Sequence, residues 1–404
     1  MVMTMTKVLL PDEPKYRWYV LGLGALTNTL TVAIPSMCLP VLFKEISGEL
    51  NLTLVQIGLI WGIGALPGVF MTLVGGIIGD RFGPKRILSA ACLLVGLVGA
   101  LRGLSFDFIS LTVTVFLYGM LSSMIPMNVF KTCSLWFSRQ QLGLANGVLS
   151  MGMALGFMVG SMISATLLSP WLGGWRNVLF LYGALAITLT IPWLLLRTTP
   201  AAGSLAGSRR PQSMGKTIRQ VARVKNIWLL GLTILGVGGC VQATLGYLPL
   251  YLRGLDWPAA SADGAAAAFH TVSMIFVVPI ALWSDKIGSR RKVLLATTLM
   301  IALGVGLLSI VDGILVWVAI IMAGMVRDGF MAVFMTMIIE TEGIGTAYAG
   351  TATGLAMVFG GVGSLVAPPL GNSLAAMAPG LPFVFWAALT GAGFLGLYLA
   401  KETD

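Results

Sequence analysis

A chain of 404 residues that is 57% hydrophobic and only 10% charged departs from soluble domains, in which about 25% of residues carry charge. That balance excludes a large soluble globule. The net charge of +10 raises nucleic acid or an anionic surface as partners, a question decided by where the charges fall.

Apolar stretches of 18 or more residues, each able to cross a bilayer core of about 30 Å as a helix, recur from end to end. The pattern predicts twelve spans, at roughly 18–43, 53–79, 87–104, 108–136, 142–168, 176–196, 227–252, 261–284, 293–311, 313–339, 347–375 and 381–400. Residues 1–17 form a short polar N-terminus. The span after them is too long for a signal peptide and shows no small-residue cleavage site, so it is expected to be retained. The longest polar connection, "RTTPAAGSLAGSRRPQSMGKTIRQVARVK" at 197–225, carries seven basic and no acidic residues. It divides the chain into six-helix bundles at 18–196 and 226–400, with a polar C-terminus at 401–404. The expected fold class is therefore an all-α polytopic membrane protein built of two six-helix halves.

With both termini cytoplasmic, nineteen of the 25 Lys and Arg residues fall on the inside. Four (Lys44, Arg102, Arg176 and Arg253) fall outside, and two (Lys131 and Arg327) lie within spans. This asymmetry is the positive-inside rule, which sets orientation in a cell (inner) membrane. The basicity needs no nucleic acid to explain it. Cys38, Cys92, Cys133 and Cys240 all fall within spans without paired spacing and are expected to be apolar filler. His270 is the only histidine. A zinc cage or a histidine-based hydrolytic triad therefore has little to draw on, and no metal, cofactor or enzymatic activity is expected.

The halves repeat. "LPVLFK" at 39–44 aligns with "LPLYLR" at 248–253, and "GDRFGPKR" at 79–86 with "SDKIGSRRK" at 284–292. "GLANG" at 143–147 aligns with "GTATG" at 350–354. The offsets are 209, 205 and 207. Parallel six-span repeats are one transporter plan, with the substrate site near the midplane between halves.

"GGIIGDRFGPKR" after the second span resembles the signature loop of the major facilitator superfamily. "WSDKIGSRRK" after the eighth is its weaker second copy, and "GWRNVLFLYG" at 174–183 is similar to a further family segment. The resemblance covers essentially the whole chain. It implies the twelve-helix facilitator fold and gating roles for Asp80, Arg81, Lys85 and Arg86, with Asp285 and Arg291 in the second half. The bare alternative is that these charges are positive-inside anchors. Within the family the chain is similar to the branch of cyanate, nitroimidazole and nitrate carriers, through "LRGL" ending the third span and "WFSRQQLGLANG" after the fourth. Nitrate carriers show an arginine in both halves of the cavity, whereas here one half alone has a mid-depth arginine. An organic monocarboxylate or another small anion fits that single charge better.

Gly152, Gly156, Gly160 and Ser164 recur every fourth residue on the fifth span and are expected to let helices approach closely. An antiporter signature is the alternative, but Ser161 stands where its proline would.

Charges at the centre of a membrane helix cost about 2.5–3.5 kcal/mol on insertion scales and so face a bundle interior or a wet cavity. In "AGMVRDGFMAV" (323–333), Arg327 lies about 15 residues beyond Asp312, about 22 Å in along a helix. Its planar fork suits carboxylate or phosphate. Neighbours on a helix point about 100° apart, so Arg327 and Asp328 are expected to look in different directions. Arg327 would bind an anionic substrate, and Asp328 a neighbouring helix or a coupled proton. Asn28, Gln242, His270, Asn128 and Lys131 are the other candidate substrate contacts, each with a packing or snorkelling role as the alternative. His270 and Glu340 join Asp328 as proton-coupling candidates, with Glu340 expected at the cytoplasmic end against basic loops.

The expected function is secondary active transport of a small, monocarboxylate-like anion by alternating access. The protein is expected to act as a monomer in the lipid bilayer, with a coupled proton or an exchanged anion. Alternatives are a proton-coupled exporter of drugs or other organic solutes, or a non-transporting sensor of the same fold. No acidic residue lies inside spans one to six to receive a cationic drug, and no glycine-lysine nucleotide loop appears for direct ATP coupling.

Overall fold

The computed structural model describes residues 15–138, 141–196 and 214–401, apart from the side chains at 73, 80, 214–216 and 345–347. Among the described residues the chain is helical throughout, without a strand. Twelve helices traverse it. The first half contains α1 (Tyr16–Leu50), α2 (Leu54–Phe82), α3 (Pro84–Leu104), α4 (Phe108–Trp136), α5 (Leu142–Leu172) and α6 (Trp175–Leu195). The second contains α7 (Lys225–Gly254), α8 (Ala259–Ile287), α9 (Arg290–Leu307), α10 (Ile314–Glu340), α11 (Gly345–Leu374) and α12 (Leu381–Leu399). Eleven are long and apolar enough to cross a membrane. The exception is α9, whose 18 residues begin with Arg290, Arg291 and Lys292. A short helix, Met214–Val221, precedes α7 and anchors itself through the fully buried Val221.

Two turns show why the repeated loops have their glycines. Gly83 between α2 and α3 has φ +84°, and Gly288 between α8 and α9 has φ +69°. Only a residue without Cβ takes that backbone freely. The two glycines are 205 positions apart, matching the offset of the loops that contain them.

Each half has its own apolar core. One runs through Leu230, Phe269, Phe330, Phe334 and Trp386 in the second half. In the first half, one cluster centres on Cys92, Ile125 and Leu149, and another on Phe43, Ile57 and Leu179. In lipid the drive for such packing is close contact of small residues rather than hydrophobicity alone. The glycine stripe acts in this way: a Cβ on Gly156 would meet the Ala33 side chain at 2.6 Å, and one on Gly160 the Ile34 carbonyl at 2.7 Å. The stripe therefore seats α5 against α1. All four cysteines are buried and unpaired.

The halves meet where α2 packs on α11 and α5 on α8. Because α2 corresponds to α8 and α5 to α11 in the repeat, these contacts are exchanged by a pseudo-two-fold relation. The face bearing the loops at 83 and 288 is called the basic face below, and its counterpart the opposite face.

Candidate functional site

Arg327 and Asp328 sit midway along α10, their side chains 27% and 35% exposed. They do not look in different directions, as helical spacing alone suggests. Arg327 Nη1 lies 3.1 Å from Asp328 Oδ1, because a long arginine side chain folds back across the 100° that separates neighbouring residues. The pairing engages one guanidinium nitrogen and leaves Arg327 further donors. The Asp328 N–H donates to Ser273 Oγ of α8 at 3.0 Å, which fixes the pair against α8.

One turn from Ser273, His270 is buried within electrostatic reach of Arg327. Its ring lies 5.3 Å from that of Phe157 on α5, across the boundary between the halves. Neither ring nitrogen has a hydrogen-bond partner. A buried polar group left unpaired is costly, which makes His270, within electrostatic reach of Arg327, a candidate contact for a polar solute. Arg327, Asp328, Ser273, His270 and Phe157 thus draw α10, α8 and α5 to one locus.

Asn28 is also fully buried, with neither side-chain oxygen nor nitrogen partnered. It opens a π-helical turn in α1, Asn28–Ala33, the kind of local widening that recurs at functional sites. Gln242 on α7 is half-buried, and its backbone carbonyl accepts from Trp61 Nε1 of α2 at 2.6 Å.

Other candidates are occupied elsewhere. Asn128 Nδ2 donates to the Gly75 carbonyl at 3.0 Å and the Met124 carbonyl at 2.8 Å, tying α4 to α2, while its Oδ1 is buried without a partner. Lys131 neither snorkels outward nor stands alone, since its Nζ donates to the Gly76 carbonyl at 2.6 Å. Glu340 lies at the basic face 3.3 Å from Arg290, which also holds Asp285 at 2.5 Å. One arginine therefore fastens α8, α9 and α10.

Among the expected gating residues, Lys85 donates to the Leu196 carbonyl at 2.5 Å. Arg81 is exposed over Phe82, and Arg86 is exposed. Arg291 donates to the Tyr398 carbonyl and lies over its ring. The Asp80 side chain lies outside the described residues.

Two arginines assigned above to exterior loops are buried instead. Arg102 is fully buried, 3.8 Å over the Tyr118 ring, and donates to the Pro35 carbonyl at 3.1 Å. Arg253, at the end of α7, donates through Nη2 to both carboxylate oxygens of Asp263 at 2.5 Å. Asp263 is fully buried and accepts also from Thr166 Oγ1 of α5 at 2.6 Å. The signal that could have exposed this pair is its placement, ten residues apart, on the two sides of a hairpin between spans.

Hydrogen bonds that join the halves among the described residues lie nearer the opposite face. They include Thr166 to Asp263, Trp61 to the Gln242 carbonyl, Lys44 to the Arg253 carbonyl at 3.4 Å, and Asn372 to the Leu54 carbonyl at 2.8 Å. Lys44 and Arg253 are repeat equivalents, so the pseudo-axis brings them together. Gly58 and Gly62 of α2 press on the backbone of α11 in the same region. Toward the basic face, Gly143, Gly147, Gly350 and Gly354 of the repeated "GLANG" and "GTATG" segments border open space.

Two six-helix bundles packed on each other through α2 with α11 and α5 with α8, with a charge pair midway along α10, define a two-half membrane carrier architecture. The chain belongs to the Major Facilitator Superfamily, whose family model matches residues 21–368. It is similar to a 3-(3-hydroxy-phenyl)propionate transporter of Escherichia coli, 26% identical over 83% of this chain and 81% of that one. A probable nitrate/nitrite antiporter of Thermus thermophilus is 27% identical over 75% of this chain and 69% of its own. A probable sulfoacetate transporter of Cupriavidus necator is 24% identical over 60% of this chain, and the match spans 59% of that relative's length. Among solved structures, the nucleoside transporter NupG (D323A mutant) superposes with a TM-score of 0.77 at 15% identity, over 94% of this chain and 98% of that one. This last likeness concerns the fold alone.

Proposed function

We propose that the chain is a secondary transporter that carries a small, monocarboxylate-like anion by alternating access. The observation that carries the reading is Arg327, a half-exposed guanidinium at mid-depth in the membrane with unpartnered His270 beside it. An anion with two oxygens fits the donors that the pairing with Asp328 leaves to Arg327. The relatives named for sulfoacetate, nitrate/nitrite and 3-(3-hydroxy-phenyl)propionate are named for solutes that carry negative charge. Asp328 supports coupled proton movement: an anion arriving at Arg327 competes with the Asp328 carboxylate, and protonation of that carboxylate frees the guanidinium. Asn28 and Gln242 contact the solute from α1 and α7, which correspond in the repeat. The basic face lies toward the cytoplasm of a cell (inner) membrane, and the protein acts as a monomer.

The test is a thermal-shift screen of the purified protein with small carboxylates, inorganic anions, cations and sugars at two pH values. Stabilisation by one group of anions, lost in Arg327→Gln, is the expected result. Stabilisation by anions regardless of Arg327, or only by cations or sugars, sinks the assignment.

A further inference from the structure

We infer that Thr166, Asp263 and Arg253 form a latch that holds the opposite face closed, with Thr166 as the positioning residue that links the halves. This inference rests on the alternating-access reading above. Asp263 at the start of α8 has no solvent exposure, and Arg253 at the end of α7 has little. Both belong to the second half. A desolvated carboxylate requires its lone pairs to be satisfied, and Arg253 Nη2 supplies two contacts from within the same half. The third comes from Thr166 Oγ1, on α5 of the first half.

The surrounding charges fit a closed seam. Lys44, at the end of α1, donates to the Arg253 carbonyl, which adds a second link from the first half. Glu45 lies beside the pair and is held by Ser169 Oγ at 2.5 Å. Arg253 Nε has no partner, so the pair is incompletely satisfied while it is buried. Parting of the halves at this face would break both cross-half bonds and let water reach Asp263 and Arg253, which stay together. The hydroxyl of Thr166 therefore adds to the stability of one state and not the other, the condition for biasing a two-state equilibrium.

The experiment uses the full chain in vesicles, with spin labels on cysteines introduced at Gly48 and Ala260, exposed positions near the opposite-face ends of α1 and α8. The four native cysteines are buried, which leaves the introduced ones to react. Loss of one hydrogen bond to a charged group shifts the closed-to-open ratio roughly ten- to hundredfold. Thr166→Val, and Thr166→Val with Lys44→Ala, are expected to transfer label pairs to a longer distance, while Thr166→Ser retains the parent distribution. Asp263→Asn is a weaker probe, because it leaves Arg253 buried without its counter-charge. Parent-like distances in both Thr166→Val proteins overturn the latch, whatever the anion flux in the same vesicles. Longer distances in a protein that neither binds nor moves anions leave the latch standing and remove the anion reading instead.

Discussion

Gly58→Ala should open the opposite face. A Cβ at this position on α2 would lie 2.7 Å from Pro369 N and 2.8 Å from Pro368 C on α11. Both are backbone atoms of the other half, so no side-chain rotation relieves the overlap. Overpacking of this kind costs about 1–3 kcal/mol, and the closed state alone pays it. The ratio of closed to open forms should therefore fall roughly 5- to 150-fold. The assay is the maleimide labelling rate of Leu250→Cys, because Leu250 is partly buried against the cores of both halves and becomes more accessible when they part. Gly68→Ala on the same helix is the control, since its Cβ would find ordinary contact, 3.7 Å from Ser123. Equal labelling rates in the parent and Gly58→Ala would refute the reasoning.

Asn128→Ala should lower thermal stability by about 1 kcal/mol, the scale of interhelical hydrogen bonds in membranes. Anion affinity should be unchanged in the same thermal-shift screen, since the side-chain N–H groups donate to the carbonyls of Gly75 and Met124 and offer an anion no donor. Asp107 caps α4, and hydrogen bonds from Ser110 hold its carboxyl below the usual carboxylate range. A folded-state value below the unfolded one contributes stability above about pH 4, lost as pH falls further. The thermal midpoint of the parent should thus drop more steeply in acid than that of Asp107→Asn, which keeps an acceptor at the cap; parallel acid profiles would argue against the cap.

Much of the architecture is visible in local patterns. Apolar runs mark the spans, and the paired loops mark the repeat, down to the two glycines that need positive φ. The glycine stripe on α5 also announces its packing role, since a four-residue period of small side chains has few other uses in lipid. Side-chain partners are less legible. Arg327 and Asp328 meet because the arginine is long enough to curl back, a freedom that helical spacing does not register. Asn128 and Lys131 find carbonyls on α2, and only the packing of α4 on α2 brings those into reach. Arg253 and Asp263 sit where spans end, so loop and interior look alike in hydropathy. Nothing local shows Thr166, 97 positions away from Asp263, completing that pair.

The seam between the halves resembles a plain bearing more than a set of meshed gears. At Gly58 and Gly62 one helix lies flat on the backbone of another, so along that stretch few side chains interlock. Movement across such a surface requires no concerted rotamer exchange and little dragging of bulky groups past one another. Friction is concentrated at a few polar contacts, and the tempo of the cycle can be retuned by altering those contacts alone while both bundles remain intact.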